Sequence, residues 1–321
     1  TKKIIEIIKK TSVDALHPGY GFLSENEKFA KQISQYGITW IGPSSSIISM
    51  MGDKIKARKL AKKNNVPVVP GDMKSIKNLN DAKKITQKIG FPILVKAAGG
   101  GGGKGMRIIN SNKELKNALD RAKSEAQKAF ADDRIYMEKF LEEPHHIEIQ
   151  IFSDNHGNCV SLGERECSIQ RRYQKIIEET PSPFITSKLR KKLSKSAISI
   201  ASACNYVGAG TVEFLVDKHH DFYFLEMNTR LQVEHPITET TTGIDLVKEQ
   251  INVAANKKLS FKQAEINPSG HAIECRIYAE DGFNNFSPST GTIKEISIPN
   301  GIGVRFDEGI RSGQQITPYY D

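Results

Sequence analysis

The sequence predicts an α+β protein of two or three lobes, an expectation that three stretches carry. Residues 1–41 alternate helical and strand-like segments. Residues 69–141 set two apolar strands, joined by a glycine-rich loop, among helical segments. Beyond residue 145 the chain is strand-rich, with helices at 187–204 and near 244–255.

Taken in order, Ile4, Ile5, Ile7 and Ile8 describe an amphipathic helix reaching Lys10. Val13–Leu16 is strand-like, His17-Pro-Gly-Tyr-Gly21 is a loop, a helix runs from Ser24, and Ile38–Ile41 is a second short strand. These read as the end of an α/β layer whose earlier strands are expected outside residues 1–321. Residues 42–68 are expected to be a helical linker, dominated by a basic helix over 53–64 that stops before Val66-Pro67. The next helix begins at Asn80 and ends at Gly90, ahead of Pro92, the usual order of terminators. Phe91–Lys96 and Met106–Ile109 are strands. Ser111-Asn-Lys-Glu114 has the spacing of a capping box and opens a helix to Phe130, and Ile135–Leu141 is strand again. Further strands follow at 146–152, 160–162, 210–216 and 222–234.

The loop Ala98-Gly-Gly-Gly-Gly-Gly-Lys-Gly105 fails two familiar phosphate-binding patterns. A P-loop needs Ser or Thr after its Lys and then a helix, whereas Gly105 and a strand follow here. Gly100, Gly102 and Gly105 match G-x-G-x-x-G, but that fingerprint must also open a helix. A flap whose bare backbone N–H groups wrap a phosphate chain stays open, against an ordinary glycine-rich hairpin. Five consecutive glycines between Lys96 and Lys104 favour the flap, because glycine lets backbone approach closely.

The most informative segment is Phe224–Pro236. In an extended strand Glu226, Asn228, Arg230, Gln232 and Glu234 share one face and Met227, Thr229, Leu231 and Val233 the other. A solvated strand face would also alternate. The mixture of carboxylate, amide and guanidinium points instead to a site, since buried charge needs a partner. Upstream, Gly210–Val216 and Phe222–Glu226 flank the loop Asp217–Asp221 as a hairpin. The expected register sets Phe214 near Leu225, Val216 near Tyr223 and Glu213 opposite Glu226. Facing carboxylates repel unless a cation lies between them. Oxygen ligands of this kind suit Mg²⁺ or Mn²⁺, so Glu213, Glu226 and Asn228 are the candidate metal ligands of a metal–nucleotide site.

Length and composition limit the alternatives. A chain of 321 residues holds about two domains. No run of 18 apolar residues is present, so no transmembrane helix is expected. Cys159, Cys167, Cys204 and Cys275 are far apart without C-x-x-C spacing, which argues against zinc or a disulfide framework and for a reducing, cytoplasmic compartment. The net charge of +9 comes largely from helical lysines such as those of 54–63, expected to be solvated. No basic stretch interleaves with aromatics, so nucleic acid is not an expected partner and anionic substrates are. The chain starts inside a helix and stops after strand-like sequence, so it is expected to be a fragment with weak or no activity by itself.

Several motifs then carry a family resemblance. His17-Pro-Gly-Tyr-Gly-Phe-Leu-Ser-Glu25, Met51–Lys54, the glycine loop, Tyr136–Leu141, Cys167-Ser-Ile-Gln-Arg-Arg172, Glu226–Pro236 and Glu274-Cys-Arg276 resemble, in order and along the whole chain, the biotin carboxylase family of the ATP-grasp superfamily. The resemblance implies an ATP-grasp fold. Residues 1–41 would be the remainder of a pre-grasp domain, 42–68 a linker, 69–141 the lid and 142–321 an incomplete C-terminal catalytic domain. It implies that ATP and bicarbonate carboxylate biotin on a carrier protein or domain, beside a carboxyltransferase component, in a homodimer when full length. Lys54 and Lys96 would meet ATP phosphates under the loop Gly99, Gly100, Gly101, Gly102 and Gly103. Glu138 and Leu141 would sit at the adenine, and His146 and Gln170 near ribose and phosphates. Glu213, Glu226 and Asn228 would hold Mg²⁺ or Mn²⁺. Lys175, Arg230, Gln232 and the backbone of Val233 would bind bicarbonate, Glu234 would be the base, and Arg276 would stabilise the biotin enolate. Tyr173 departs from the family, many of whose members carry His there, which puts a phosphate contact at that position in doubt.

Without the resemblance several of these residues have ordinary readings. Lys54 could be a solvated helix residue, Arg276 could pair with Glu274 or Glu280, and His17 and His235, each followed by Pro, read as turn or packing residues. Three rival functions remain at this level: another ATP-grasp carbon–nitrogen ligase, a nucleotide-binding module without turnover, and a basic nucleic-acid binder.

Overall fold

The computed structural model describes residues 1–99 and 106–317. Gly100, Gly101, Gly102 and Gly103, and with them most of the expected phosphate flap, lie outside the described residues. Contacts divide the chain into two compact units, Thr1–Glu274 and Cys275–Asp321.

The first unit opens with a small α/β layer. Helix α1 (Lys2–Thr11) and α2 (Glu27–Gln35) accompany the parallel pair β1 (Ala15–Leu16) and β2 (Thr39–Trp40). Ile5, Ile8, Phe29, Ile33 and Trp40 form its core. The α2 helix starts later than Ser24 because the side chain of Asn26 accepts from Phe29 N at 2.9 Å and fixes the cap there. Two helices follow, α3 (Ser45–Gly52) and α4 (Lys54–Lys63). The sequence reading missed α3 as an element, because its run of Ser, Ile and Met shows little amphipathic contrast. Asp53 ends one helix and caps the next, its Oδ1 accepting from Ile55 N and Lys56 N at 3.0 Å each. Lys56, Lys59, Lys62 and Lys63 of this basic helix are exposed, as expected of its lysines, whereas Arg58 is only 2% exposed.

A three-stranded antiparallel sheet, β4 (Arg107–Ile109), β3 (Ile93–Ala97) and β5 (Ile135–Lys139), carries α5 (Leu79–Ile89) and α6 (Asn112–Phe130) on one face. Period-two alternation decides which residues face those helices. Ile93, Val95, Ala97, Ile135 and Met137 enter that core, leaving Leu94, Lys96, Tyr136 and Glu138 for the opposite face. The capping box expected at Ser111 does not form. Glu114 accepts from the Ser111 hydroxyl at 2.8 Å and from Asn110 N at 3.3 Å, and Ser111 caps no backbone N–H.

The remaining strands build a larger sheet: β6 (His145–Ser153), β7 (Cys159–Arg171), β8 (Gln174–Thr180), β9 (Gly208–Val216) and β10 (Phe222–Asn228), in the order β10-β9-β6-β7-β8, with β11 (Ala272–Cys275) beside β8. Helices α7 (Ser187–Ala203), α8 (His235–Thr242) and α9 (Leu246–Ala254) complete the unit. Ile147, Ile149, Ile151, Val212, Phe214 and Phe224 pack with Leu189, Leu193 and Ile200 of α7. Strand β8 and helix α8 are additions to the sequence reading. The second unit contains two-residue strands pairing Glu280–Asp281 with Ser287–Pro288 and Gly291–Thr292 with Gln315–Ile316.

The strap before α5 lies against β5 at Gly71, where an added Cβ would come 2.4 Å from Met137 O and 2.7 Å from Glu138 Cα. Both obstacles are backbone and cannot rotate away. Gly71→Ala is therefore expected to destabilise the protein by about 1–3 kcal/mol, read as a lowered denaturant midpoint; an unchanged midpoint would contradict the close approach.

Candidate active site

Alternation in the large sheet separates an apolar face from a polar one. Ile147, Ile149 and Ile151 of β6 belong to the core packed with α7, so His146, Glu148 and Gln150 point the other way. Register aligns Glu148 with Glu213 of β9 and with Arg165 of β7. The same face turns apolar at its far end, where Phe152 and Ala209 join Leu246 and Val253 of α9.

The hairpin of β9 and β10 differs from the expected register in one half. Phe222 pairs with Val216, Tyr223 with Leu215 and Phe224 with Phe214, one residue off the expectation. A bulge between Phe224 and Glu226 absorbs the difference, and from there Glu226 lies opposite Glu213 as expected. The facing carboxylates are compensated by lysines. Lys54 Nζ lies 2.7 Å from Glu226 Oε2, and Lys175 Nζ 3.0 Å from Glu213 Oε1. The pairing alone therefore does not require a metal. The oxygen donors of Glu213, Glu226 and Asn228, adjacent on this face, nevertheless fit a hard divalent cation.

Lys175 is the hub of the polar face. Its ammonium donates to Glu148, to Glu213 Oε1 at 3.0 Å and to Glu234 Oε1 at 2.6 Å, using the three hydrogens it has. Burial disfavours its charge, but the three carboxylates overcome that and hold its pKa well above the ordinary lysine value. Burial likewise opposes ionisation of Glu213, yet Lys175 and His146 hold that carboxyl well below its ordinary range. His146 Nε2 is 2.9 Å from Glu213 Oε2, and Gln170 Nε2 is 2.9 Å from His146 Nδ1. Asn228 Nδ2 donates to Glu213 Oε1 at 2.7 Å.

On the three-stranded sheet, Lys96 Nζ meets Glu138 Oε1 at 2.9 Å, and Arg58 Nη1 of α4 meets Glu138 Oε2 at 2.7 Å. Lys54 sits at the start of α4, tied to the root of the glycine loop by its backbone N donating to Ala98 O at 2.9 Å. Burial lowers the Lys54 pKa, Glu226 raises it, and the balance is upward. Gly99 and Lys54 line a cavity of about 570 Å³ together with Glu25, Glu226, Asn228 and Arg230. Leu141 follows β5 in irregular chain and is half-buried.

The polar row of Phe224–Pro236 is extended only as far as Asn228. Thr229–Arg230 bends, Val233–Glu234 turns, and α8 starts at His235. Helix-opening His235-Pro236 explains the break, since Pro favours the first helical turn. Arg230, Gln232 and Glu234 thus approach the site from a loop. Arg230 Nε donates to Glu25 Oε2 at 2.9 Å and its Nη1 to Leu231 O at 3.1 Å. Burial lowers the Arg230 pKa, but Glu25 above all raises it further. Gln232 is 5% exposed, and its Nε2 donor has no hydrogen-bond partner among the described residues. An orphaned buried donor costs free energy unless a ligand or water accepts from it. Val233 is half-buried and Glu234 fully buried. Arg276 lies in the second unit. His17 has the turn role expected of it, its Nδ1 accepting from Gly19 N at 3.0 Å.

Three participants were not singled out from the sequence. Glu148 is fully buried, and its carboxylate lies within 4.8 Å of the ligating atoms of His146 and Glu213, and of Cys167 and Glu234. Arg165 is fully buried too, donating to Glu148, to Gln150 at 2.7 Å, to Thr238 at 3.0 Å and to Thr211 at 3.1 Å. The alternation His-Ile-Glu-Ile-Gln-Ile over 146–151 carried the signal for Glu148. Nothing local marked the task of Glu25.

Three family models match successive stretches of the chain. The biotin carboxylase N-terminal domain matches residues 1–48, the ATP-binding domain of the carbamoyl-phosphate synthase L chain matches 53–262, and the biotin carboxylase C-terminal domain matches 274–321. Over 319 residues the chain is 50% identical to a pyruvate carboxylase subunit from Methanothermobacter thermautotrophicus, covering 99% of this chain and 65% of that one. It is 49% identical to the biotin carboxylase of Haemophilus influenzae, covering 99% and 71%. The chain thus spans 65% and 71% of the lengths of these two relatives. Its structure superposes with a TM-score of 0.96, at 45% identity, on the biotin carboxylase domain dimer of Hydrogenobacter thermophilus 2-oxoglutarate carboxylase in complex with MgADP, ADP and bicarbonate. That match covers 100% of this chain and 71% of the other.

Proposed function

The chain belongs to the biotin carboxylase family, and on that footing we propose that it serves the ATP-dependent carboxylation of biotin by bicarbonate. The products are N-carboxybiotin, ADP and phosphate. One observation supports this reading most directly: Lys175 bonds Glu213 at 3.0 Å and Glu234 at 2.6 Å, joining the candidate metal face to the candidate base.

Lys54 and Lys96 contact the ATP phosphates, with Gly99 beside Lys54 in the cavity wall. Glu138 and Leu141 border the adenine, and His146 and Gln170 the ribose and phosphates. Glu213, Glu226 and Asn228 would hold Mg²⁺, which when bound would supply charge neutralisation at phosphate oxygens. Lys175, Arg230, Gln232 and the Val233 backbone bind bicarbonate, and the unsatisfied Gln232 amide is the donor such an anion would engage. Glu234 takes the bicarbonate proton, so that its oxygen attacks the γ-phosphorus and ADP leaves. Carboxyphosphate then breaks into CO₂ and phosphate. The phosphate accepts the ureido proton of biotin, and the nitrogen adds to CO₂ while Arg276 stabilises the enolate.

The division into 1–41, 42–68, 69–141 and 142–321 is proposed on the same footing. So are a biotin carrier protein or domain, a carboxyltransferase component and a homodimer. Supporting these, the matched Hydrogenobacter domain is a dimer and the Methanothermobacter relative is one subunit of a pyruvate carboxylase. No described helix is long and apolar enough to cross a membrane.

ADP release by the complete protein is expected to depend on bicarbonate and to rise with free biotin. ATP binding without such turnover would indicate a nucleotide-binding module instead. Turnover with a different acceptor would indicate another carbon–nitrogen ligase.

A further inference from the structure

The segment His17–Glu25 is the one family-like motif that the reading above leaves without a task. Its two ends are held differently. His17 Nε2 lies 3.1 Å from Gln250 Oε1, which anchors the segment to α9. At the other end Ser24 is buried, with its hydroxyl donating to Gly21 O at 2.6 Å, and Asn26 caps α2. Glu25 is held between these two fixed residues. Its Oε1 accepts from Thr229 N at 2.9 Å and from the Thr229 hydroxyl at 3.3 Å, and its Oε2 accepts from Arg230 Nε at 2.9 Å.

These bonds fall at the bend where the polar row leaves β10. A strand continuing straight would carry Arg230 along the sheet. Here one carboxylate fixes both the backbone of the bend and the guanidinium beyond it. Nε is occupied by Glu25 and Nη1 by Leu231 O, so the Nη2 edge is the part of the fork that neither bond holds. A planar guanidinium binds an oxyanion well only when its donor edge is oriented.

We propose that Glu25 is a positioning residue for the reaction: it sets the Arg230 guanidinium for bicarbonate and makes the N-terminal α/β layer part of the bicarbonate site. This rests on the carboxylase reading, and on the placement of bicarbonate at Arg230 in particular. A bicarbonate held by a misoriented arginine loses affinity, whereas the nucleotide contacts of Lys54, Lys96 and Glu138 are made by other elements.

The test uses the complete protein with Glu25→Gln and Glu25→Ala, following ADP formation against bicarbonate and against ATP. Glu25→Gln keeps an acceptor for Thr229 N but loses the charge, and is expected to raise the KM for bicarbonate about tenfold; Glu25→Ala should raise it towards about a hundredfold. The KM for ATP should stay within about twofold in both. Adding Arg230→Lys to Glu25→Ala should then cost little more, since the two residues act as a unit. A wild-type bicarbonate KM in Glu25→Ala, or equal rises for ATP and bicarbonate as from a general loosening, would overturn the proposal. The Arg230 Hε proton gives a readout independent of turnover: slow exchange in the wild type and fast exchange in Glu25→Ala support the latch, and no difference overturns it. Wild-type protein lacking bicarbonate-dependent turnover would instead sink the carboxylation reading.

Discussion

Glu234→Gln is expected to reduce bicarbonate-dependent ADP formation by about 10²–10⁴-fold, the range for loss of a general base, while leaving nucleotide affinity nearly unchanged. The substitution conserves shape at a fully buried position. Its amide oxygen can still accept the 2.6 Å bond from Lys175, so the fold and the Lys175 hub should survive. What is lost is the carboxylate proposed to take the bicarbonate proton. The lysines assigned to ATP, Lys54 and Lys96, pair with Glu226 and Glu138 rather than Glu234, which is why binding and turnover should separate. Calorimetric titration of MgATP beside single-turnover ADP formation checks both halves. Undiminished turnover would remove Glu234 from the role of base, and lost nucleotide binding would mean that the substitution disturbs more than proton transfer.

How far such a site can be read in advance depends on the range of the interactions that build it. The facing of Glu213 and Glu226 was legible, because hairpin register is local and period two leaves few choices. The bulge near Leu225 was not legible, and it turned a register one residue off at the loop into the expected pairing at the site. The strand expected to reach Glu234 stops at Asn228. Alternation continues in the burial of Thr229 and Leu231 although the chain no longer runs straight, so the pattern outlasted the element that usually produces it. Helix α3 was hidden by weak amphipathic contrast, and β8 by its two lysine- and glutamate-rich ends around Ile176 and Ile177. The task of Glu25, though the residue closes a family-like motif, was hidden for a different reason. Its partners Thr229 and Arg230 lie 204 and 205 residues away, and no local period records such a contact. Nothing local set Arg58 apart from the exposed lysines around it, because its buried partners, Glu138 and the Val69 carbonyl, are brought to it by the fold.

Lys175→Met is expected to abolish turnover and also to destabilise the protein in a pH-dependent manner. The side chain is 12% exposed and stands among Glu148, Glu213 and Glu234, whose side chains are 0%, 5% and 0% exposed. Removing one partner of a buried ion pair typically costs about 3–5 kcal/mol, because the other charge is left uncompensated. The pH dependence follows from Glu213. In the wild type its carboxyl is held well below the ordinary value of 4.5: burial pushes it up, but Lys175 foremost and then His146 pull it down further. A lowered carboxyl pKa contributes stability that is present above the unfolded value and lost as pH falls through the folded one. Without Lys175 the largest lowering cause is gone and only His146 still opposes burial, so the folded pKa is expected to rise past its ordinary value. The sign then reverses, since a raised carboxyl pKa penalises the folded state at neutral pH and the penalty fades as pH falls through it. Lys175 itself is raised well above 10.5, so its own contribution is complete below that pH and cannot produce an acid-side change. Guanidinium unfolding of the variant and the wild type at pH 7 and at about pH 5 should therefore show a gap that narrows on acidification. A gap of the same size at both values would mean that the three carboxylates are compensated by something other than Lys175.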